Sequence, residues 1–313
     1  MKFAGIIAEY DPFHNGHAWQ LAQAKALGAE RVAVAMSCSL VQRGALPLLP
    51  EAVRTRSALT CGADLVFALP APCACAGAEA FARAGVALLA AAGCDGLVFG
   101  AETPDAALLM EAAELLDSDS YRAALKAQLA GGARSFAAAR QAAAAQLASD
   151  ERVAALLDKP NNNLAVEYCR AIRSLAPRME AYPLPRQGAN HGEALHSAHG
   201  QFASASALRK LWAEGGADAV APYVPEAVFP LYQEAYAAGQ YTDFSAAGRC
   251  ELALLRSACR GKAPFADIRG VSEGLEHRLE AAVRTSTTYD ELLDALTTVR
   301  YPRARMRLSL IHI

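Results

Sequence analysis

The densest run of chemistry-bearing side chains is Glu9-Tyr10-Asp11-Pro12-Phe13-His14-Asn15-Gly16-His17. Two histidines three residues apart flank a glycine, directly after an apolar run and before a helical pattern. A helix that begins there exposes N–H groups without intrahelical partners and a partial positive charge. Such a terminus binds phosphate, and Gly16 lets a ligand come close to the backbone. Imidazoles at i and i+3 can share one side of the turn. They can donate hydrogen bonds to phosphate oxygens as charge builds on a leaving pyrophosphate. A second candidate is Ser204-Ala205-Ser206-Ala207-Leu208-Arg209. Its serines precede a helical pattern as N-caps do, and a guanidinium in the first turn can clamp phosphate oxygens through two parallel N–H groups. Read alone, the serines are equally well explained as caps. The third is Arg300, Arg303, Arg305 and Arg307 around Tyr301, which suits RNA phosphates and a stacked base, or simply a solvated basic helix end.

Composition narrows the classes. The 313 residues carry 30 Lys+Arg against 32 Asp+Glu, a net charge of -2, which excludes a generally basic nucleic-acid coat but not a local basic patch. With 53% hydrophobic residues the chain is globular rather than disordered. Eight cysteines include no Cys-x-x-Cys pair, only Cys73-Ala74-Cys75, so free thiols in a reducing compartment are expected. His191, His196 and His199 have only Glu193 nearby, and no metal site is expected there. No Gly-x-Ser-x-Gly elbow accompanies the serines near them. The apolar run at the start is too short for a targeting segment, and Leu65–Ala78 is broken by Pro70 and Pro72, so a cytoplasmic protein with no membrane partner is expected.

The elements that must position these groups follow from periodicity. Lys2–Ala8, Arg31–Ser37, Leu65–Leu69, Gly96–Phe99 and Met179–Pro183 read as strands. Helical patterns at His17–Leu27, Glu51–Cys61, Ala76–Ala92 and Leu164–Leu175 separate them, which predicts a parallel α/β sheet. Ligand sites in such sheets lie at the carboxyl ends of strands, here the loops after Ala8, Ser37, Phe99 and Pro183. Between residues 105 and 158 three or four short helices form an insert, and Pro160 with Asn161, Asn162 and Asn163 interrupts the pattern. Pro185–Ala203 reads as a polar loop, a helix runs from Ser206 to about Glu214, and only helices follow Gly215. The expected division is a catalytic domain over 1–214 and a helical domain over 215–313.

His14-x-Gly16-His17 resembles the signature of the HIGH-type nucleotidyltransferase superfamily, relatives of class I aminoacyl-tRNA synthetases. The longer string from Glu9 to His17 resembles the bacterial tRNA(Met) cytidine acetate ligase family, where Asn usually replaces Asp11. Similar blocks follow in order: Gln42-Arg43-Gly44, Gly62-Ala63-Asp64-Leu65-Val66, Leu69-Pro70, Ala78-Glu79, Phe81-Ala82, Phe99-Gly100-Ala101-Glu102, Pro160-Asn161-Asn162, Glu167-Tyr168, Arg186-Gln187-Gly188-Ala189, and the Ser204–Arg209 block as second catalytic motif. The chain departs from the pattern at Cys38, at Ala45-Leu46, at Glu51, where a lysine is usual, and at Ala68.

The resemblance implies a Rossmann-like nucleotidyltransferase domain followed by an all-helical domain. It also implies that ATP and acetate give acetyl-adenylate, and that the acetyl group passes to the wobble cytidine of elongator tRNA(Met), with Mg²⁺ accompanying ATP. His14, His17, Ser204 and Arg209 would be catalytic. The nucleotide would lie against Ile7, Ala8, Glu9, Tyr10, Asp11, Pro12, Phe13, His14, Asn15, Gly16, His17, Ala18, Trp19 and Gln20, with Gly100, Asn161 or Asn162, Arg186 and Gln187. Arg300, Arg303, Arg305 and Arg307 would contact RNA; DNA is not an expected partner. The family continues beyond this basic block, and Leu308–Ile313 does not resemble its continuation, so the helical domain is expected to be cut short. Two alternatives stay open: an adenylyltransferase acting on a small phosphorylated metabolite, and an inactive RNA-binding relative.

Overall fold

The computed structural model describes residues 1–313 apart from 43, 134, 186–194, 198–199, 261–264, 266–270, 272–273, 300 and 312–313. The elements are β1 (Phe3–Ala8), α1 (Asn15–Ala26), β2 (Arg31–Ser37), α2 (Glu51–Thr60), β3 (Leu65–Leu69), α3 (Ala71–Ala74), α4 (Ala78–Ala91) and β4 (Gly96–Ala101). Then come α5 (Ala106–Asp117), α6 (Asp119–Ala130), α7 (Phe136–Leu147), α8 (Glu151–Leu156), α9 (Pro160–Leu175), β5 (Glu180–Pro185), β6 (Leu195–Ser197), β7 (Gly200–Phe202) and α10 (Ala205–Val220). The chain continues with α11 (Phe229–Ala237), α12 (Phe244–Ala258), α13 (Leu275–Thr285), α14 (Tyr289–Leu296) and α15 (Arg303–Ile311).

The five main strands are all parallel in the order β3-β2-β1-β4-β5. Helices cover both faces, which explains why β2 reads as a continuous apolar run: Val32–Met36 is buried throughout. Strand order reverses between β1 and β4, and the crevice at their carboxyl ends is the topological switch point where such sheets bind ligands. Alternate β1 residues serve opposite faces. Ala4 and Ile6 pack with α1, α2, α10 and α11, while Phe3 and Ile7 pack with α4, α5 and α9. Close seating of α4 requires Gly85, because a Cβ there would lie 2.5 Å from Ile7 Cδ1.

The α/β fold with a helical C-terminal region agrees with expectation. Four insert helices, α5–α8, start at the N-caps Asp105, Ser118, Ser135 and Asp150, each accepting a first-turn N–H. Several boundaries differ. Pro160 starts α9 instead of interrupting the pattern, because proline at the first helical position costs no hydrogen bond. The helix expected over Ala76–Ala92 is α4, with the short α3 before it, and β4 and β5 run on to Ala101 and Pro185. The polar loop contains the antiparallel pair β6–β7. The division at 214/215 falls inside α10, beside a kink at Gly216 with φ +68°. Residues beyond it, Ala217, Val220, Val224, Val228, Tyr232 and Ala235, still pack with the sheet. A separate cluster runs from Leu252 to Leu310. All eight cysteines are thiols. Among the described residues no helix is long and apolar enough to cross a membrane, and no group of three metal-ligating side chains occurs.

Candidate functional site

The turn after β1 is built by burial. Tyr10, at φ +50°, and Phe13 are at most 1% exposed, and a cis peptide joins Asp11 to Pro12. Their rings sit at 4.9 Å and 5.6 Å from His17. His14 is the N-cap of α1: its Nδ1 accepts from Gly16 N at 3.0 Å, while His17 Nδ1 accepts from His14 N at 3.3 Å, closing a capping box of two imidazoles. The rings stack at 3.8 Å. An Nδ1 that accepts carries no proton in neutral imidazole, so the N–H lies on Nε2 in both rings. The turn is tethered by Tyr232 Oη donating to Phe13 O at 2.7 Å, Asn15 Nδ2 to Pro222 O at 3.3 Å and Gln20 Nε2 to Val98 O at 3.2 Å.

Arg209 reaches this turn from α10. Its Nη1 donates to Asp11 O at 2.6 Å and to Asp11 Oδ2 at 3.0 Å, while Asp11 Oδ1 accepts from Leu48 N at 2.6 Å. Only Nη1 of the guanidinium is used in these bonds. The Asp11 carboxyl is 4% exposed, and burial raises its pKa above the ordinary 3.8 although Arg209, the Leu48 N–H and Arg54 oppose the shift. Ser204 caps α10, accepting from Ala207 N at 3.2 Å, with its hydroxyl 3.0 Å from that of Ser206. The capping reading of these serines is the one the geometry supports.

Arg54 lies at the centre of the neighbouring loops and is fully buried. It donates to Leu49 O at 3.0 Å, Glu9 O at 2.7 Å, Ser37 O at 2.6 Å and Cys38 O. It thereby ties the ends of β1 and β2 to the start of α2; burial lowers its pKa, partly offset by Asp11. Sequence reading missed it. The available signal was an arginine on the face of α2 that also carries Val53, Ser57 and Ala58. Gln42 N donates to Glu9 Oε1 at 2.6 Å. The thiol of Cys38 is pushed up to about 11 by burial, with Glu51 adding to the shift.

On the β4 side, Glu102 takes the N-terminus of α9. Its carboxylate accepts from Asn161 N at 3.2 Å, Asn161 Nδ2 at 2.5 Å and Asn162 N at 2.7 Å, a favourable charge at a helix start. Asn162 accepts from Thr103 N at 2.9 Å and donates to Thr103 Oγ1 at 3.1 Å, and is 1% exposed. Gly100 is exposed at the strand end.

The structure therefore brings His14, His17, Arg209, Gly100 and Asn161 to the carboxyl edge of the sheet. Tyr10, Asp11, Phe13 and Asn162 are buried beside it. Arg303 pairs with Asp290 and Asp294, and Arg305 lies over the Tyr301 ring at 5.0 Å. The backbone of Arg307 abuts Gly44. Arg43, Arg186, Gln187, His191, His199 and Arg300 lie outside the described residues, as does the His196 side chain.

Comparison with known proteins follows the same lines. The model of the HIGH Nucleotidyl Transferase family matches residues 1–313. A tRNA(Met) cytidine acetate ligase from Syntrophotalea carbinolica is 36% identical over 316 residues, covering 100% of this chain and 74% of that protein. One from Acetivibrio thermocellus is 33% identical, covering 100% and 77%. The crystal structure of apo Thermotoga maritima TmcAL matches with a TM-score of 0.91 at 30% identity, covering 100% of this chain and 75% of that one. The same protein bound to alpha-thio ATP matches at 0.88, covering 100% and 74%.

Proposed function

The chain belongs to the HIGH nucleotidyl transferase family, and within it to the tRNA(Met) cytidine acetate ligases; on that premise we propose the following reaction. A carboxylate oxygen of acetate attacks the α-phosphorus of ATP and pyrophosphate leaves, giving acetyl-adenylate. The N4 amine of the wobble cytidine of elongator tRNA(Met) then attacks the acetyl carbonyl, and AMP leaves. Adenylation is needed because a free carboxylate would have to expel oxide. A tRNA substrate puts this work in the cytoplasm.

The observation that carries the reading is the double use of Nδ1 in the His14–His17 capping box. It makes Nε2–H of each ring a donor whose tautomer is preset, so little reorganisation accompanies charge build-up on the phosphates. The α1 N-terminus adds its partial positive charge. Arg209, held through Nη1, offers its other N–H groups to phosphate oxygens. Asn161, bonded to Glu102 just past the β4 end, takes the ribose or adenine, and buried Asn162 holds the turn. Ser204 contributes through the cap that orients Arg209. Mg²⁺, accompanying ATP, would offset phosphate charge. Glu9, Asp11 and Glu102 are already committed to N–H or guanidinium donors and form no cage for it.

His17→Ala tests the division of labour. Acetate-dependent exchange of pyrophosphate into ATP should fall roughly a hundredfold or more, while tRNA affinity at fixed salt stays nearly unchanged. Equal loss of both would contradict it.

A further inference from the structure

Trp212 of α10 meets three tyrosines edge-on: Tyr232 and Tyr236 of α11, and Tyr241, at 6.0, 5.6 and 5.8 Å between ring centroids. Trp212 and Tyr232 are core residues, 3% and 0% exposed. Tyr236 and Tyr241 are different. Their rings stack 5.3 Å apart with planes 17° from parallel, and they remain 44% and 37% exposed. The stack is seated on backbone: a Cβ at Gly216, where φ is +68°, would lie 2.6 Å from the Tyr236 ring. An α-carbon without a side chain at that kink is what lets the hydroxyl end of the ring approach α10.

Three links join this stack to the adenylation site. Tyr232, one turn before Tyr236, donates to Phe13 O at 2.7 Å in the two-histidine turn. Thr242, next after Tyr241, donates through N to Leu48 O at 2.8 Å and through Oγ1 to Pro47 O at 2.6 Å. Arg209, one turn before Trp212, bonds to Asp11. The two rings, stacked on each other and set edge-on to Trp212, keep part of their surface in water. Flat aromatic faces of this kind hold unpaired bases by stacking, and sequence-specific RNA recognition targets such splayed, single-stranded loops.

We propose that the Tyr236–Tyr241 stack is a platform for an unpaired nucleobase of the tRNA substrate; this rests on the tRNA acetylation reading above. Arg303 is paired with Asp290 and Asp294, and Arg305 lies over the Tyr301 ring, so stacking would add to the contribution of this basic segment.

The test uses the full chain, a tRNA(Met) transcript, and two assays: acetylation of tRNA and acetate-dependent pyrophosphate exchange. Y236A/Y241A should raise KM for tRNA about five- to a hundredfold, the loss of one stacked base, with the change absent from pyrophosphate exchange. Y236F/Y241F, which keeps both rings, should restore the wild-type KM. An unchanged KM in the alanine pair, a parallel fall in pyrophosphate exchange, or equal loss in the phenylalanine pair would each overturn the platform and leave the rings as a cover for Trp212. Wild-type protein that exchanges pyrophosphate with acetate yet never acetylates tRNA would instead sink the functional reading, and the platform with it.

Discussion

Asp11 is the residue where charge and position are most tightly joined. It stands where the resembling family usually has Asn, and it bridges Leu48 N and Arg209 from a buried site. Burial raises its pKa above 3.8 against the pull of Arg209, Leu48 N–H and Arg54. Tyr232 and Glu9 also lie within electrostatic reach of this group or its partner Arg54. A raised carboxyl pKa favours the fold below the unfolded value, and that advantage is lost as pH rises through the folded value. At neutral pH the ionised group therefore carries a penalty. Asp11→Asn should melt at a higher temperature than wild type at pH 7, with the gap closing as pH falls toward 3.8. A gap that ignores pH would refute this electrostatic account.

At the scale of elements, α12 and α13 stabilise each other's ends. Arg256, in the last turn of α12, donates to Val283 O at 3.3 Å and Ser286 O at 2.6 Å at the end of α13. Arg284, in the last turn of α13, donates to Cys259 O at 3.2 Å at the end of α12. Carbonyls left without intrahelical partners, and the negative end of each helix, are met by a cation from the other. Arg256→Ala should cost about 1–2 kcal/mol in urea unfolding of this cluster. Arg256→Lys should recover only part of that, since one ammonium cannot span both carbonyls as the fork does. Full recovery by lysine would reduce the effect to charge alone.

For the whole molecule, the segment between β2 and α2 is the joint between sheet and helices. It is held from the sheet side by Glu9 and Asp11, from α2 by Arg54 and from the C-terminal helices by Thr242. At Gly44, φ +66°, a Cβ would lie 3.0 Å from the Arg307 backbone of α15. Gly44→Ala would impose both a left-handed strain and a backbone clash, together about 1–3 kcal/mol. Hydrogen exchange in α15 should then accelerate while protection in β1 and β2 persists. Uniform acceleration would show that the joint does not localise the strain. We propose that the division between the two parts of the chain lies between α11 and α12, where the sheet cluster ends and the second cluster begins.

The parallel α/β class, the helical insert and the two-histidine turn were readable in the amino-acid order because apolar runs, helix periodicity and capping act within a few residues. The His14–His17 box closes over three positions. Nothing local announces that Arg209 bonds a carboxylate 198 residues away, that Asn162 is locked to Thr103, or that Arg303 is neutralised by two aspartates. Those partners meet only once the sheet has assembled and the helices have docked. Tertiary packing alone decides which chemically able side chains are aimed at a ligand and which become braces.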